Sequence, residues 1–152
     1  MRVITILFFL IYIFLLSSLT FAQDFYLCTR VVDGDTIIIS MNGQDERVRL
    51  IGVDTPETKH PKKPVEYFGK EASAFTKAMV EGKKVRLKYD QEKRDKYGRL
   101  LAYVYLEDGT FLNAEIVKQG YGFAYTRFPF KYLDDFKEYE KEARENDRGL
   151  WE

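Results

Sequence analysis

Residues 31–57 read VVDGDTIIISMNGQDERVRLIGVDTPE, and the spacing of apolar and turn-forming residues within them decides the fold. Val31-Val32, Thr36 to Ile39 and Arg47 to Ile51 are rich in β-branched side chains, which suit a pleated surface and lose rotamer freedom in a helix. Read back to Phe25, the segment predicts three strands. Asn42-Gly43 separates the second from the third and offers the two residue types that most readily take positive φ, as a two-residue hairpin turn requires. A β-hairpin is expected there.

Working outward, residues 54–64 break the pattern with Pro56, Pro61 and Pro64 among charged residues, the composition of a surface loop. Phe68, Ala72, Phe75 and Met79 then recur at helical spacing, with Gly82 placed to end the helix in a left-handed conformation. Val85, Leu87 and Tyr89 alternate with Lys84, Arg86 and Lys88, which predicts a half-buried strand with one apolar and one basic face. Leu100 to Leu106 is a further strand, closed by Asp108-Gly109. Asn113 is placed to cap a short helix that stops at Gly120. A last helix follows Pro129, its stripe of Tyr132, Phe136, Tyr139 and Ala143 facing inward and Asp134, Asp135, Glu138, Lys141 and Glu142 facing water. Trp151 is expected to anchor the tail. Five strands split by a helix after the third, with mostly antiparallel connections, match a closed barrel better than a βαβ sheet. The fold class expected is α+β, mainly β: a five-stranded OB-fold barrel with three packed helices.

Apolar residues make up 45% and charged residues 32% of the 152-residue chain, with only 4 Pro and 10 Gly. That excludes disordered, collagen-like and disulfide-dense classes and leaves one globular domain. Arg2 precedes an almost wholly apolar run from Val3 to Leu16 and then the small residues Ser17, Ser18, Thr20 and Ala22, the three parts of a secretory signal. Residues 1–22 are therefore expected to be a cleaved signal peptide and 23–152 the mature domain, secreted or extracytoplasmic. The alternative is a membrane anchor, since residues 3–22 can span ~30 Å of hydrocarbon as a helix. Cys28 is the only cysteine, so a monomer has no internal disulfide and Cys28 reads as a small buried hydrophobe.

Without Arg2 the chain carries 23 basic and 24 acidic residues, so net charge predicts no partner. Its distribution says more, because residues 58–99 hold 13 Lys or Arg against 6 Asp or Glu. That region suits a polyanion, and equally a solvated strand and loop surface. The chain shows no Gly-rich phosphate loop, no Cys/His zinc spacing and no Ser-His-Asp order, and its single histidine, His60, argues against most hydrolase schemes.

Three short segments concentrate charge at strand ends: Asp33-Gly34-Asp35-Thr36, Arg49 through Glu57, and Asp95-Lys96-Tyr97-Gly98-Arg99. Singly, each reads as turn chemistry. Together they supply carboxylates and arginines, and carboxylates gathered at one point repel unless a cation sits among them. The donors are oxygens only, which points to a hard cation, calcium in an exported protein. Asp35 and Asp54 are the expected direct ligands, with the Thr55 backbone carbonyl as a third oxygen.

These segments, with VDTPETKHPKK over residues 53–63 and EASAFTKAMV over residues 71–80, resemble the thermonuclease (staphylococcal-nuclease) family across nearly the whole mature chain. The resemblance implies that Asp35, Asp54 and Thr55 hold Ca2+, that Glu57 orients or deprotonates the attacking water, and that Arg49 and Arg99 bind the scissile phosphate. It places Lys63, Lys96 and Tyr97 near the nucleotide's phosphate and sugar and makes Tyr125 a base-stacking aromatic. It further implies a monomer with no obligate protein partner that cuts DNA and RNA, single-stranded or frayed regions first, and leaves 3′-phosphates. Two positions depart from the family pattern: Arg127 stands where another aromatic is common, and Pro64 replaces a glycine in the loop. The rival functional class is a non-catalytic OB-fold module that grips single strands through its basic strand and tyrosines.

Overall fold

The computed structural model describes residues 24–58 and 66–152; the expected signal segment, His60, Lys63 and Pro64 lie outside them. Within them run β1 (Phe25–Asp33), β2 (Thr36–Met41), β3 (Gln44–Leu50), β4 (Val53–Asp54), α1 (Gly69–Val80), β5 (Lys84–Lys88), β6 (Leu100–Leu106), α2 (Leu112–Lys118), β7 (Phe123–Ala124), α3 (Leu133–Glu145) and a closing 3-10 turn, Gly149–Trp151. Strands β1-β2-β3-β6-β5 close into a barrel. The β3–β6 pair is parallel and the other barrel pairs are antiparallel. This is the mainly β OB-fold barrel with three helices that the sequence predicts.

The hairpin turn is where the residue pair places it. Asn42 and Gly43 have φ of 52° and 79°, and Met41 pairs with Gln44 across them, the geometry whose twist matches the flanking strands. Strand β1 is longer than its β-branched run and is interrupted by register shifts between Cys28 and Arg30 and between Val31 and Asp33. Such bulges sharpen local twist and help a short sheet curl closed. Strand β5 ends at Lys88, one residue sooner than the alternation suggests, and leaves Tyr89 exposed.

Inside the barrel Cys28, Ile37, Ile39, Val48, Val85 and Val104 are fully buried. Burial pushes the Cys28 thiol up to about 11, consistent with its reading as a small hydrophobe. On α1, Ala72 is buried and Phe75 and Met79 pack against the core. On α3, Phe136 and Ala143 are buried while Tyr132 and Tyr139 lie against the core edge. Phe136 meets Phe130 and Phe111 at ring-centroid distances of 5.3 and 5.9 Å; burying such a side chain contributes ~1.5–3 kcal/mol. Trp151 anchors the tail as expected, with the Arg144 guanidinium 4.3 Å from its ring and Phe123 edge-on at 5.5 Å.

Asn113 does not cap α2. The helix begins at Leu112 with Phe111 in the capping position and no side-chain cap. Asn113 is instead completely buried inside the first turn. Its side-chain oxygen accepts from the Val104 N–H at 2.9 Å, and its Nδ2 donates to the Ile51 and Ala102 carbonyls at 2.9 and 3.1 Å. The side chain therefore ties α2 to β6 and to the segment leading into β4. Removing it leaves the buried Val104 N–H and the part-buried Ile51 carbonyl without this partner, while the Ala102 carbonyl keeps the Ile51 N–H at 3.1 Å; a buried group left unsatisfied costs ~1–3 kcal/mol. Asn113→Ala is expected to lower the unfolding free energy by about 3 kcal/mol in urea titrations; a loss below about 1 kcal/mol would show that water or neighbouring groups replace the brace.

Candidate active site

Asp35 follows the tight turn between β1 and β2 and is 8% exposed. A carboxylate this enclosed needs donors on both oxygens. Its Oδ1 accepts from Thr36 Oγ1 at 2.9 Å; its Oδ2 accepts from the Thr55 backbone N–H at 3.1 Å and faces Arg49 Nη2 at 3.1 Å. Arg49 pairs with Thr36 across β2–β3, on the outer face, since its neighbours Val48 and Leu50 are buried within the barrel. The same Nη2 donates to Asp54 Oδ1 at 3.2 Å. Nη1 donates to the Leu50 and Val53 carbonyls at 3.0 and 2.5 Å. One guanidinium therefore holds two carboxylates that stand 19 positions apart in the sequence, and it lies 6.0 Å from the centre of the Tyr125 ring.

Asp54 is brought in by a sheet too short to be read from periodicity. Val53 and Asp54 pair with Ala124 and Phe123, and the Tyr125 N–H donates to the Gly52 carbonyl at 2.9 Å, which fixes Tyr125 beside Arg49. Partial desolvation raises the Asp54 pKa above the ordinary aspartate value; Arg49 opposes this, and the neighbouring Asp35 and Glu66 carboxylates add to it. Thr55 is wedged between two glycines: a Cβ on Gly34 would fall 2.8 Å from its side chain, and one on Gly122 would fall 3.0 Å from it. Its Oγ1 is buried without a hydrogen-bond partner among the described residues.

Glu57 is exposed at the start of the loop. Its N–H donates to Glu66 Oε2 and its carbonyl accepts from the Glu66 N–H, both at 3.0 Å, so the two ends of the loop are clamped together. Thr58 Oγ1 donates to Asp33 Oδ1, tying the loop base back to the turn that carries Asp35.

Arg99 sits one residue before β6. Because Val48 pairs with Leu100 and Arg49 with Leu101 in parallel register, Arg99 shares the outer face with Arg49, two positions along. Asp95 holds it: Arg99 Nε donates to Asp95 Oδ2 at 2.7 Å, while the Arg99 and Tyr97 N–H groups donate to Oδ1 at 3.0 and 2.9 Å. The terminal nitrogens of Arg99 make no hydrogen bond among the described residues. Tyr97, 72% exposed, stands between the Lys96 ammonium at 5.0 Å and the Arg99 guanidinium at 5.4 Å. Of the sequence-predicted residues, Asp35, Arg49, Asp54, Thr55 and Tyr125 thus meet in one cluster, Lys96, Tyr97 and Arg99 form a second group on the same barrel face as Arg49, and Lys63 lies outside the described residues. The clamps Asp95 and Glu66 went unread, although Asp four residues before Arg with Gly between is the pattern of a side chain closing its own turn.

The donor set suits a hard divalent cation. Asp35 and Asp54 present oxygens that share a single cationic nitrogen, and among the described residues Arg49 is the one cation paired with them. Among the described residues no three carboxylate, imidazole or thiol groups gather closely enough to chelate by themselves. Any ion held here needs backbone carbonyl, water or substrate oxygens to complete its shell.

Residues 47–152 match the family described as staphylococcal nuclease homologue. The chain is 50% identical over 137 residues to the thermonuclease of Staphylococcus intermedius, spanning 90% of this chain and 81% of that one. It is 44% identical over 130 residues to the thermonuclease of Staphylococcus hyicus, spanning 85% and 76%. Against endonuclease YncB of Bacillus subtilis (strain 168) it is 43% identical over 125 residues, spanning 80% and 59%. The chain belongs to the staphylococcal nuclease homologue family. The family match takes in Arg49, Asp54, Thr55, Glu57 and Arg99 and begins after Asp35, whose place beside them rests on the contacts above.

Partial burial works against the charged form of Asp95, but the Arg99 side chain and the Arg99 and Tyr97 backbone donors outweigh it and hold its pKa below the ordinary value. A carboxylate with a depressed folded pKa stabilises the fold above its unfolded pKa and loses that contribution as pH falls through the folded value. Wild type should therefore exceed Asp95→Asn in stability by a constant margin near neutrality. The margin should shrink as pH drops below about 3.9, read from urea midpoints across pH. A margin independent of pH would show that Asp95 acts by its shape and not its charge.

Proposed function

We propose that this chain is an exported, calcium-dependent nuclease that hydrolyses phosphodiester bonds of DNA and RNA and leaves 3′-phosphates. The observation that carries the reading is the convergence of Asp35 and Asp54 on one guanidinium nitrogen, 3.1 and 3.2 Å away, in a chain half identical to a protein named thermonuclease. In this reading Asp35, Asp54 and the Thr55 carbonyl hold Ca2+. When bound, the ion supplies Lewis-acid polarisation of the phosphate and positive charge against the anion that develops there.

The chain's own residues do the rest. Glu57, exposed and clamped at its backbone, accepts a proton from the attacking water. Arg99 enters with Nε already committed to Asp95, which leaves its two terminal nitrogens as the planar fork that matches a pair of phosphate oxygens. Arg49 adds a second fixed positive charge at the same face. A guanidinium keeps its charge at any working pH, which makes Arg99 an electrostatic stabiliser of the leaving 5′ oxygen and not its proton donor. No group in this scheme requires a 2′-hydroxyl, so both DNA and RNA are substrates, and the exposed Tyr97 together with Lys96 and Tyr125 favours unpaired strands whose bases can stack. Lys63 is assigned to the phosphate from sequence alone. Export rests on the composition of residues 1–22, with 23–152 as the mature domain, acting as a monomer.

Purified protein should cut single-stranded DNA with calcium present and leave it intact with excess chelator. Intact substrate in both conditions would favour a barrel that binds without cutting. Glu57→Gln should lose about 10²–10⁴-fold in kcat with KM little changed, and Arg99→Ala about 10²–10³-fold, both keeping the wild-type circular dichroism spectrum; normal cleavage by both would remove these assignments. Protein recovered from the culture medium should begin at Gln23, whereas a chain retained in membranes with an intact leader would identify an anchor.

A further inference from the structure

The outward face of β5 is not used by the site above. Val85 is buried and Leu87 packs inward, so Lys84, Arg86 and Lys88 line the opposite side of the strand. In the ladder Arg86 stands between Phe25 of β1 and Tyr105 of β6, Lys84 lies beside Leu27, and Lys88 beside Tyr103. Arg86 and Lys88 both approach the Tyr105 ring, at 5.4 and 5.0 Å from its centre. None of the three cations forms an ion pair among the described residues, and the Nε of Arg86 is buried without a partner.

The surroundings extend the same chemistry. Phe25 and Leu27 are exposed, at 40% and 45%, an unusual position for large apolar side chains flanked by cations. Lys131 lies 5.0 Å from the centre of the Tyr132 ring. The Tyr132 phenol is held below its ordinary pKa chiefly by its bond to Tyr105, with the Lys131 and Lys88 charges adding to it, which places both ammoniums at one aromatic pair. Arg86 and Lys88 also line an open groove of about 240 Å3 with Tyr26 and Tyr89, where Asp24 is the one carboxylate.

We propose that this face, centred on Lys84, Arg86 and Lys88 with Phe25, Tyr105 and Tyr132 beside them, is a second contact for single-stranded nucleic acid that holds the strand beyond the cleaved linkage. Cations with no ion pair among the described residues, set beside the exposed Phe25 and the half-buried Tyr105 and Tyr132, offer what an unpaired strand requires: charge for phosphates and flat apolar surface for bases. Arg99 and Tyr103 lie on the same side of β6, four residues apart, so Lys88 stands about 13 Å along the strand from the candidate site. An extended strand can reach both. The inference rests on the nuclease reading for the position of the first contact only.

The test compares binding of a phosphorothioate dinucleotide with that of a 12-mer of the same chemistry, in calcium, by fluorescence anisotropy over a salt series. Wild type should bind the 12-mer more tightly, and the ratio of the two affinities should collapse by about fivefold per lost phosphate contact at ~0.1 M salt, with the salt slope falling by ~0.7 per contact. The double variant Lys84→Gln/Lys88→Gln is expected to show this, and adding Arg86→Lys should restore nothing. Lys137→Gln, on the solvent face of α3, should leave the ratio unchanged. An unaltered ratio in the double variant overturns the proposal, as does loss of binding to anionic vesicles with the oligonucleotide ratio kept, which would assign the face to a membrane surface. Failure of the nuclease reading looks different: no cleavage of ordinary DNA, with the length-dependent affinity still present.

Discussion

The arrangement of the site depends on where Arg49 can send its five donors. A guanidinium cannot give up its charge, and on the rim of a barrel it needs acceptors in a plane. Arg49 finds the Leu50 and Val53 carbonyls, one on each side of the turn between β3 and β4, and two carboxylates, one delivered by the β1–β2 turn and one by β4. Each contact constrains a different segment, so the turn, the short strand and the hairpin are held in one geometry by a single side chain. Conversely, Asp35 and Asp54 tolerate each other because that charge lies between them. A buried carboxylate with its cation removed is among the costliest defects a small domain can carry, which makes the same residue a requirement for shape before it is one for chemistry.

The barrel supplies the fixed frame. Parallel pairing of β3 with β6 sets Arg49 and Arg99 on one outer face, although they are far apart in the chain. Asn113 then fastens β6, α2 and the approach to β4 together from beneath. The site thus stands on strands and turns, while Glu57 enters from a loop whose two ends are pinned to each other. That division fits a reaction in which charges must be placed in advance and one group must reach a solvent molecule.

What was legible in the sequence was what is local. The Asn42-Gly43 turn, the apolar stripes of α1 and α3 and the alternation of β5 each express a constraint between residues a few positions apart, and each is found in the fold, except that Phe68, read as the first residue of the α1 stripe, stands before the helix in a left-handed N-cap. Asn113 was misread because asparagine before an apolar helical run suits a cap, and nothing nearby reveals that three backbone groups from β6 and the β3–β4 turn wait for it. The β4–β7 pair is invisible to periodicity: it is two residues long and joins segments some seventy positions apart. Asp35 and Asp54 were readable as candidates by type, whereas their meeting at Arg49 is a fact of tertiary structure. The clamp of Arg99 by Asp95 lay within reach of local reasoning: the segment reads as a turn, but the Tyr97-Gly98 pair that signals it does not say that Asp95 closes the turn onto Arg99.

Net charge conceals the division of labour on the surface. Acidic and basic residues nearly cancel in the chain as a whole, yet the two kinds of surface differ in how the cancellation is made. On α3 the cations lie within a turn of their own carboxylates: Lys137 beside Asp134, Lys141 beside Glu138 and Arg144 beside Glu140. Exposed pairs of this kind contribute little to stability and leave little field at a distance. Arg49 and Arg99 have carboxylate partners but are placed where those partners are shared or only half engaged, and β5 carries cations that form no ion pair among the described residues, with Asp24 the one carboxylate in the groove beside Arg86 and Lys88. A polyanion approaching this molecule therefore meets two kinds of surface: cations compensated by their own carboxylates on α3, and cations without ion pairs among the described residues on β5.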